Sequence, residues 1–137
     1  MNKVVKYYAF VFLFPVIFYG CKKDKDQVPN VYVDLYVYPA LSGLNAISGY
    51  EYVSGGSKGI LVFRKSTDEF MAYDRHCTYN VAEGNQIAVD ASGLIAEDSQ
   101  CNSKFLITDG SVNQGPASAP LKRYQTSYDG SVLHIFN

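Results

Sequence analysis

Several features that would assign a function directly are missing from this sequence of 137 residues. It has no basic stripe interleaved with aromatic residues, and its formal net charge is only −1, so nothing favours nucleic-acid binding. No Ser/His/Asp set lies in a recognisable nucleophile context, and no glycine cluster matches a phosphate-binding loop. Histidine is scarce too, with only His76 and His134. We therefore expect a protein that is not an enzyme.

A long hydrophobic run is also missing. The apolar stretch at residues 7–18 is too short to span a bilayer, which takes about 20 apolar residues. Lys3 and Lys6 precede it and Tyr19-Gly20-Cys21 follows it, which is the layout of an export signal. The end of that signal resembles a bacterial lipobox, in which cleavage occurs before an acylated cysteine. The resemblance implies a helical signal peptide at residues 1–20 and a membrane anchor on lipidated Cys21, with an ordinary secretory signal as the alternative.

Residues 21–30 are mostly charged or polar and have no hydrophobic period, which is typical of a solvated tether. We expect it to connect the lipid to one small domain at residues 31–137. Removal of residues 1–20 takes away two lysines and changes the net charge from −1 to −3. We expect the protein on the extracytoplasmic side of the cell envelope, in the outer membrane, with the membrane and an envelope protein as partners and no nucleic acid.

The domain is predicted to be all-β. Short segments rich in Val, Ile, Tyr and Phe are separated by Gly, Asn, Asp or Ser, as antiparallel sheets require. The predicted strands are 31–38, 49–53, 59–64, 69–73, 86–89, 94–97, 104–108, 121–127 and 132–136. Asp109-Gly110 and Asp129-Gly130 predict hairpins, and no window after the signal predicts a helix. We expect a small antiparallel sandwich or barrel.

Two loops and the segment after them resemble a known family. The stretches are Ala72-Tyr73-Asp74-Arg75-His76-Cys77-Thr78-Tyr79, Asp98-Ser99-Gln100-Cys101-Asn102-Ser103-Lys104-Phe105, Asp109-Gly110-Ser111-Val112, Gly115-Pro116-Ala117 and Pro120-Leu121. In order and spacing they are similar to a Rieske-type iron–sulfur domain, and the resemblance covers about Gly59 to Asn137. It implies that the loops of Cys77 and Cys101 face each other, as the Cys-x-His and Cys-x-x-His loops of that family do around a [2Fe–2S] cluster.

The resemblance also implies that most of the cluster ligands are lost. Cys77 matches the first cysteine of the family, but Tyr79 stands at the first histidine, Asp98 at the second cysteine and Cys101 at the second histidine. A Rieske centre needs two thiolates and two imidazoles, so we expect neither cofactor nor metal. The alternative is an electron carrier whose [2Fe–2S] cluster uses non-standard ligands from Cys77, Cys101, Asp98 and His76. A single metal ion bound by the same residues is a further alternative, which the sequence favours less.

A disulfide is the simplest role that the resemblance implies for the two domain cysteines. Because the family's ligand loops face each other, Cys77 and Cys101 should lie within bonding range. With Cys21 lipidated, they form an even pair in an oxidising compartment. We predict that their disulfide replaces the cluster as the pin between the loops and stabilises the fold by about 3 kcal/mol. A reversible thiol–disulfide switch at the same pair remains a further alternative.

The two histidines are interpreted as structural. His134 lies in the last predicted strand and is expected to be an outward or packed strand residue. His76 is expected to be solvated at its loop tip, with its side chain pointing away from that of Cys77. The sequence thus predicts a lipid-anchored envelope protein with a Rieske-like domain that has lost its cluster and serves a binding or structural role.

Overall fold

The computed structural model describes residues 26–137, so the predicted signal peptide and Cys21 lie outside the described residues. Its ten strands are β1 (Asp34–Val37), β2 (Tyr50–Val53), β3 (Ile60–Arg64), β4 (Phe70–Asp74), β5 (Ala88–Val89), β6 (Ile95–Glu97), β7 (Lys104–Leu106), β8 (Val112–Gln114), β9 (Arg123–Tyr128) and β10 (Leu133–Phe136). Two short 3-10 helices occupy Pro39–Leu41 and Val81–Glu83. Within the described range, no helix has the length and apolar character needed to cross a membrane.

The strands form two sheets, and every strand pair in them is antiparallel. The larger sheet has the order β1-β10-β9-β4-β3-β2, and the smaller has the order β5-β6-β7-β8. The smaller sheet is one continuous stretch of chain inserted between β4 and β9 of the larger one. The predicted all-β antiparallel fold is confirmed.

The larger sheet curls strongly enough to bring its distant strands together. β1 and β3 are four places apart in the strand order, which in a flat sheet would separate them by about 19 Å. Yet a Cβ atom placed on Gly55, in the turn between β2 and β3, would lie 3.0 Å from Leu35 Cδ1 on β1. The sheet therefore forms a half-barrel that encloses a core.

Strands β3 and β4 separate two cores and are buried on both faces. Alternate residues along β3 point to opposite sides, so Leu61 and Phe63 enter one core while Ile60 and Val62 enter the other. The first core joins the larger sheet to the smaller one and includes Cys77. The second core fills the half-barrel.

All nine predicted strands are present, most of them with shorter ends. The two Asp-Gly hairpins are confirmed, and their glycines adopt positive φ angles of 80° at Gly110 and 93° at Gly130. Strand β8 was not predicted, because Val112-Asn113-Gln114 has neither apolar alternation nor β-branched enrichment. It forms because β7 offers it a free edge across the Asp109-Gly110 turn.

The strand register places the end of β4, the start of β9, the start of β1 and the end of β10 at one end of the half-barrel. Tyr73, near the end of β4, pairs with Arg123 at the start of β9, and Asp34 at the start of β1 pairs with Phe136 at the end of β10. We call this end, where β4 leads into the loop of Cys77, the loop end. The turns at 65–69 and 129–132 lie at the opposite end.

Candidate functional site

Two loops at the loop end carry the predicted site residues. The first, residues 75–87, joins β4 to β5, and Cys77 N–H donates to the carbonyl of Asn85 across it at 2.9 Å. The second, residues 98–103, joins β6 to β7. Asp98 and Ser103 close its base, where Asp98 N–H donates to the Ser103 carbonyl at 3.0 Å. Asn102 adopts a left-handed φ of 60°, which asparagine tolerates better than most residues.

The two loops bring both cysteines together, as the family resemblance implied. Cys77 Sγ and Cys101 Sγ lie 4.0 Å apart, and both residues carry free thiols in this structure. A disulfide has an S–S bond of about 2.05 Å, so closing it requires the sulfur atoms to approach by about 2 Å. The structure does not contain the predicted bond, and the pairing stays a prediction.

Asp98 connects the two thiols. Cys101 Sγ lies 3.1 Å from Asp98 Oδ2, and the ligand atoms of Cys77, Asp98 and Cys101 are all within 4.8 Å of one another. Burial raises the pKa of Cys77, and the neighbouring Asp98 carboxylate raises it further. Burial alone would raise the pKa of Asp98, but hydrogen bonds from Cys77, the Gln100 N–H and Cys101 lower it overall. The arrangement therefore favours a neutral Cys77 thiol beside an ionised Asp98 carboxylate.

Ser103 and Thr78 tie these loops to a third segment, which sequence reasoning did not identify as part of the site. Ser103 Oγ lies 3.1 Å from Cys101 Sγ and accepts a hydrogen bond from the Ala117 N–H at 2.9 Å. Because that hydroxyl can donate to the sulfur, the Cys101 thiol proton remains available for Asp98. Thr78 Oγ1 donates to the Ala119 carbonyl at 2.6 Å. Residues 115–121 thus fasten both loops.

His76 is not solvated at a loop tip, and that expectation was wrong. The residue is only 4% exposed, its Nδ1 lies 2.8 Å from Ser57 Oγ, and its Nε2 lies 2.9 Å from the Val81 carbonyl. Since a carbonyl can only accept, Nε2 carries a proton, and Nδ1 can accept from the Ser57 hydroxyl. The side chain does point away from Cys77, and both of its ring nitrogens make structural contacts, with Ser57 and Val81.

Asp74 is a buried carboxylate next to this loop whose role the sequence did not reveal. It accepts hydrogen bonds from the backbone N–H groups of Ser57, Lys58 and His76 and from the Tyr124 hydroxyl. These four donors come from the β2–β3 turn, the first loop and β9. Asp74 therefore fixes the base of the first loop relative to the larger sheet.

The remaining site residues do not converge on the sulfur pair. Tyr79 is 40% exposed, although the resemblance places it at a ligand position. His134 stacks on Tyr36 with ring centroids 4.4 Å apart, and its Nε2 lies 2.7 Å from Asp34 Oδ1. His134 is therefore a strand residue, as interpreted from the sequence.

The residues present do not fit a Rieske cluster. Two thiolates and two imidazoles are required, whereas Cys77, Asp98 and Cys101 are the three metal-ligand side chains that come together in the described part of the chain. The imidazole of His76 is turned towards Ser57 and Val81. Three donors of this kind fall one ligand short of the required four, and none of them is an imidazole.

Comparisons with known proteins support the fold at low sequence identity. No protein-family profile and no curated protein sequence matches the chain. The cyanobacterial plasma membrane Rieske protein PetC3 from Synechocystis PCC 6803 is similar, with a TM-score of 0.54 and 20% identity over 64% of this chain and 86% of that one. A chain of the complex of reduced oxygenase and oxidized ferredoxin in carbazole 1,9a-dioxygenase has a TM-score of 0.52 and 19% identity, over 75% of this chain and 93% of that one. This chain therefore has the fold of a Rieske-type iron–sulfur domain.

Proposed function

We propose that this protein is a lipid-anchored component of the cell envelope whose Rieske-like domain holds no iron–sulfur cluster and serves a binding or structural role. The observation that carries the proposal is the convergence of Cys77, Asp98 and Cys101, two thiols and a carboxylate, where the fold would hold four cluster ligands. The anchor is Cys21, which follows the export signal, and the protein faces the extracytoplasmic side, with the outer membrane as the expected site.

In this proposal, a Cys77–Cys101 disulfide holds the two loops together in place of the cluster. The sulfur atoms are already 4.0 Å apart, and Cys101 is partly exposed at the surface, where a disulfide-bonded thiol oxidant can reach it. The Cys101 thiolate attacks one sulfur of the oxidant disulfide, which breaks that S–S bond and forms a mixed disulfide on Cys101. Cys77, once deprotonated, attacks the Cys101 sulfur and displaces the second oxidant sulfur, so two electrons and the two thiol protons end on the oxidant as two thiols.

Peptide mapping of the protein from its native envelope tests the disulfide. Free thiols are blocked at lysis, the protein is digested without reduction, and mass spectrometry should find the Cys77 and Cys101 peptides linked. The Cys101→Ser variant is the matched control and should yield an unlinked Cys77 peptide. Two blocked, unlinked cysteines in the wild-type protein would contradict the disulfide.

A second candidate function is electron transfer by a [2Fe–2S] cluster with non-standard ligands. Its support is that the ligand atoms of Cys77, Asp98 and Cys101 lie within 4.8 Å of one another. It ranks second because the described residues bring no fourth donor to them. Iron content separates the two candidates directly.

A further inference from the structure

The segment that precedes β1 is held against the loop end of the domain. Lys122 Nζ donates to the Pro29 carbonyl at 2.7 Å and to Asn30 Oδ1 at 3.0 Å. Asn137 Nδ2 donates to the Val31 carbonyl at 2.8 Å and to Asn30 Oδ1 at 3.2 Å. Two separate side chains therefore hold the last residues of the predicted tether to the domain.

Strand register places the same segment at the same end independently of these contacts. Asp34 pairs with Phe136, so β1 begins where β10 ends, beside the start of β9. Going towards the N-terminus, the chain reaches Asp26 in a cleft of about 450 Å³, whose other wall is formed by Thr78, Ala119, Pro120 and Lys122. Thr78 is the residue next to Cys77, so the described chain starts beside the first loop.

Little chain separates this point from the proposed lipid. Cys21 and Asp26 are five residues apart, which limits the distance between their Cα atoms to about 18 Å. The turns at the opposite end of the half-barrel lie farther away by the length of β9, whose six residues span about 20 Å. A lipid on Cys21 therefore holds the loop end nearer to the bilayer than the far turns.

The surface at the loop end suits the interface of a lipid bilayer. Tyr79, beside Thr78, is 40% exposed, and tyrosine is enriched where a bilayer meets water because its ring is apolar and its hydroxyl is polar. The Glu83 carboxylate of the same loop accepts hydrogen bonds from the side chains of Asn80 and Asn85. The acidic group of this loop is thus engaged within the loop itself.

We propose that the loop end, with Tyr79 at its tip, packs on the bilayer that holds the anchor. The sulfur pair then lies on the membrane-facing side of the domain, and the turns at 65–69 and 129–132 face away from the lipid. This inference rests on the proposed anchor at Cys21. It assigns Tyr79 a function at the lipid–water interface in place of metal binding.

Tryptophan quenching by lipid tests the orientation, because the chain contains no tryptophan of its own. The lipidated full-length variants Tyr79→Trp and Asp68→Trp are each reconstituted in phosphatidylcholine vesicles that carry a nitroxide on the headgroup. Asp68 is an exposed residue of a far turn, so it provides the matched probe. We expect quenching of the tryptophan at position 79 to be several-fold stronger than at position 68. Equal quenching, or stronger quenching at position 68, would overturn the proposal.

Vesicle flotation separates failure of the anchor from failure of the orientation. If the protein does not float with the vesicles, the anchor and this inference are both wrong. If it floats but the two tryptophans are quenched equally, only the orientation is wrong. Adding Lys122→Ala to the Tyr79→Trp protein should weaken quenching without changing flotation, because the tether loses the hydrogen bonds that Lys122 donates to Pro29 and Asn30. Adding Lys65→Ala, at the far end of the domain, to the Tyr79→Trp protein should change neither the quenching nor the flotation.

Discussion

At the scale of single residues, Asp98 is the group that organises the sulfur pair. Its carboxylate is fully buried, lies 3.1 Å from Cys101 Sγ, raises the pKa of Cys77 and accepts the Gln100 N–H at 2.8 Å. On the sequence alone, Asp98 is interpreted as the replacement of a lost cysteine ligand or, in the alternative, as a non-standard cluster ligand. Its actual contacts depend on how the two loops approach each other, which spacing along the chain does not encode.

The lowered pKa of Asp98 predicts a pH-dependent contribution to stability. A carboxyl group whose folded-state pKa is depressed stabilises the fold above its unfolded pKa of about 3.9, and the contribution disappears as pH falls through the folded value. In the reduced protein, Asp98→Asn should lower the free energy of unfolding by about 1–3 kcal/mol at pH 7. Urea unfolding of both proteins between pH 7 and pH 2.5 measures this. The difference should shrink below about pH 4, and a constant difference would contradict the pKa shift.

Gly56 provides a second prediction at this scale. A Cβ atom there would lie 2.5 Å from the Tyr124 hydroxyl and 2.6 Å from Asp74 Oδ2, so a side chain would disturb the buried carboxylate network. Gly93 is the matched control, because it also has a positive φ but has no atom within 4 Å of the same position. Gly56→Ala should therefore cost about 1–3 kcal/mol more than Gly93→Ala in urea unfolding. Equal losses would show that backbone strain alone is responsible.

At the scale of elements, the two loops and the segment at 115–121 behave as one unit on the smaller sheet. Ser103 and Thr78 fasten this segment to both loops, and Cys77 belongs to the core between the sheets. The strands were largely predictable, because runs of β-branched and aromatic residues favour strands and the glycines between them favour turns, and both signals are local in the sequence. The curl of the larger sheet and the burial of His76 were not, since they depend on contacts between distant parts of the chain.

The predicted disulfide should account for much of the stability of this unit. It would close a loop of about 25 residues, which is worth about 3 kcal/mol in the chain-entropy model. Adding a phosphine reductant to the wild-type protein should therefore lower the free energy of unfolding by about that amount. The Cys77→Ser/Cys101→Ser double variant should not respond to reductant. If the reductant leaves the free energy of unfolding of the wild-type protein unchanged as well, the result would contradict a stabilising bond between the loops.

At the scale of the whole molecule, a Rieske-type fold is combined with a site that lacks the ligand set of a Rieske cluster. The fold could be anticipated because its loop motifs and proline-containing tail remain readable in the sequence. The proposed membrane-facing orientation could not, because it is inferred from the register of β1 with β10 and from the Lys122 and Asn137 contacts with residues 29–31.

Iron analysis of the full-length protein, purified without oxygen from its native envelope, tests the central claim most directly. Because the site offers two thiols and one carboxylate, the preparation should be colourless and contain far less than one iron per chain. A visible absorption spectrum with about two irons per chain would contradict the claim and establish a [2Fe–2S] protein with unusual ligands.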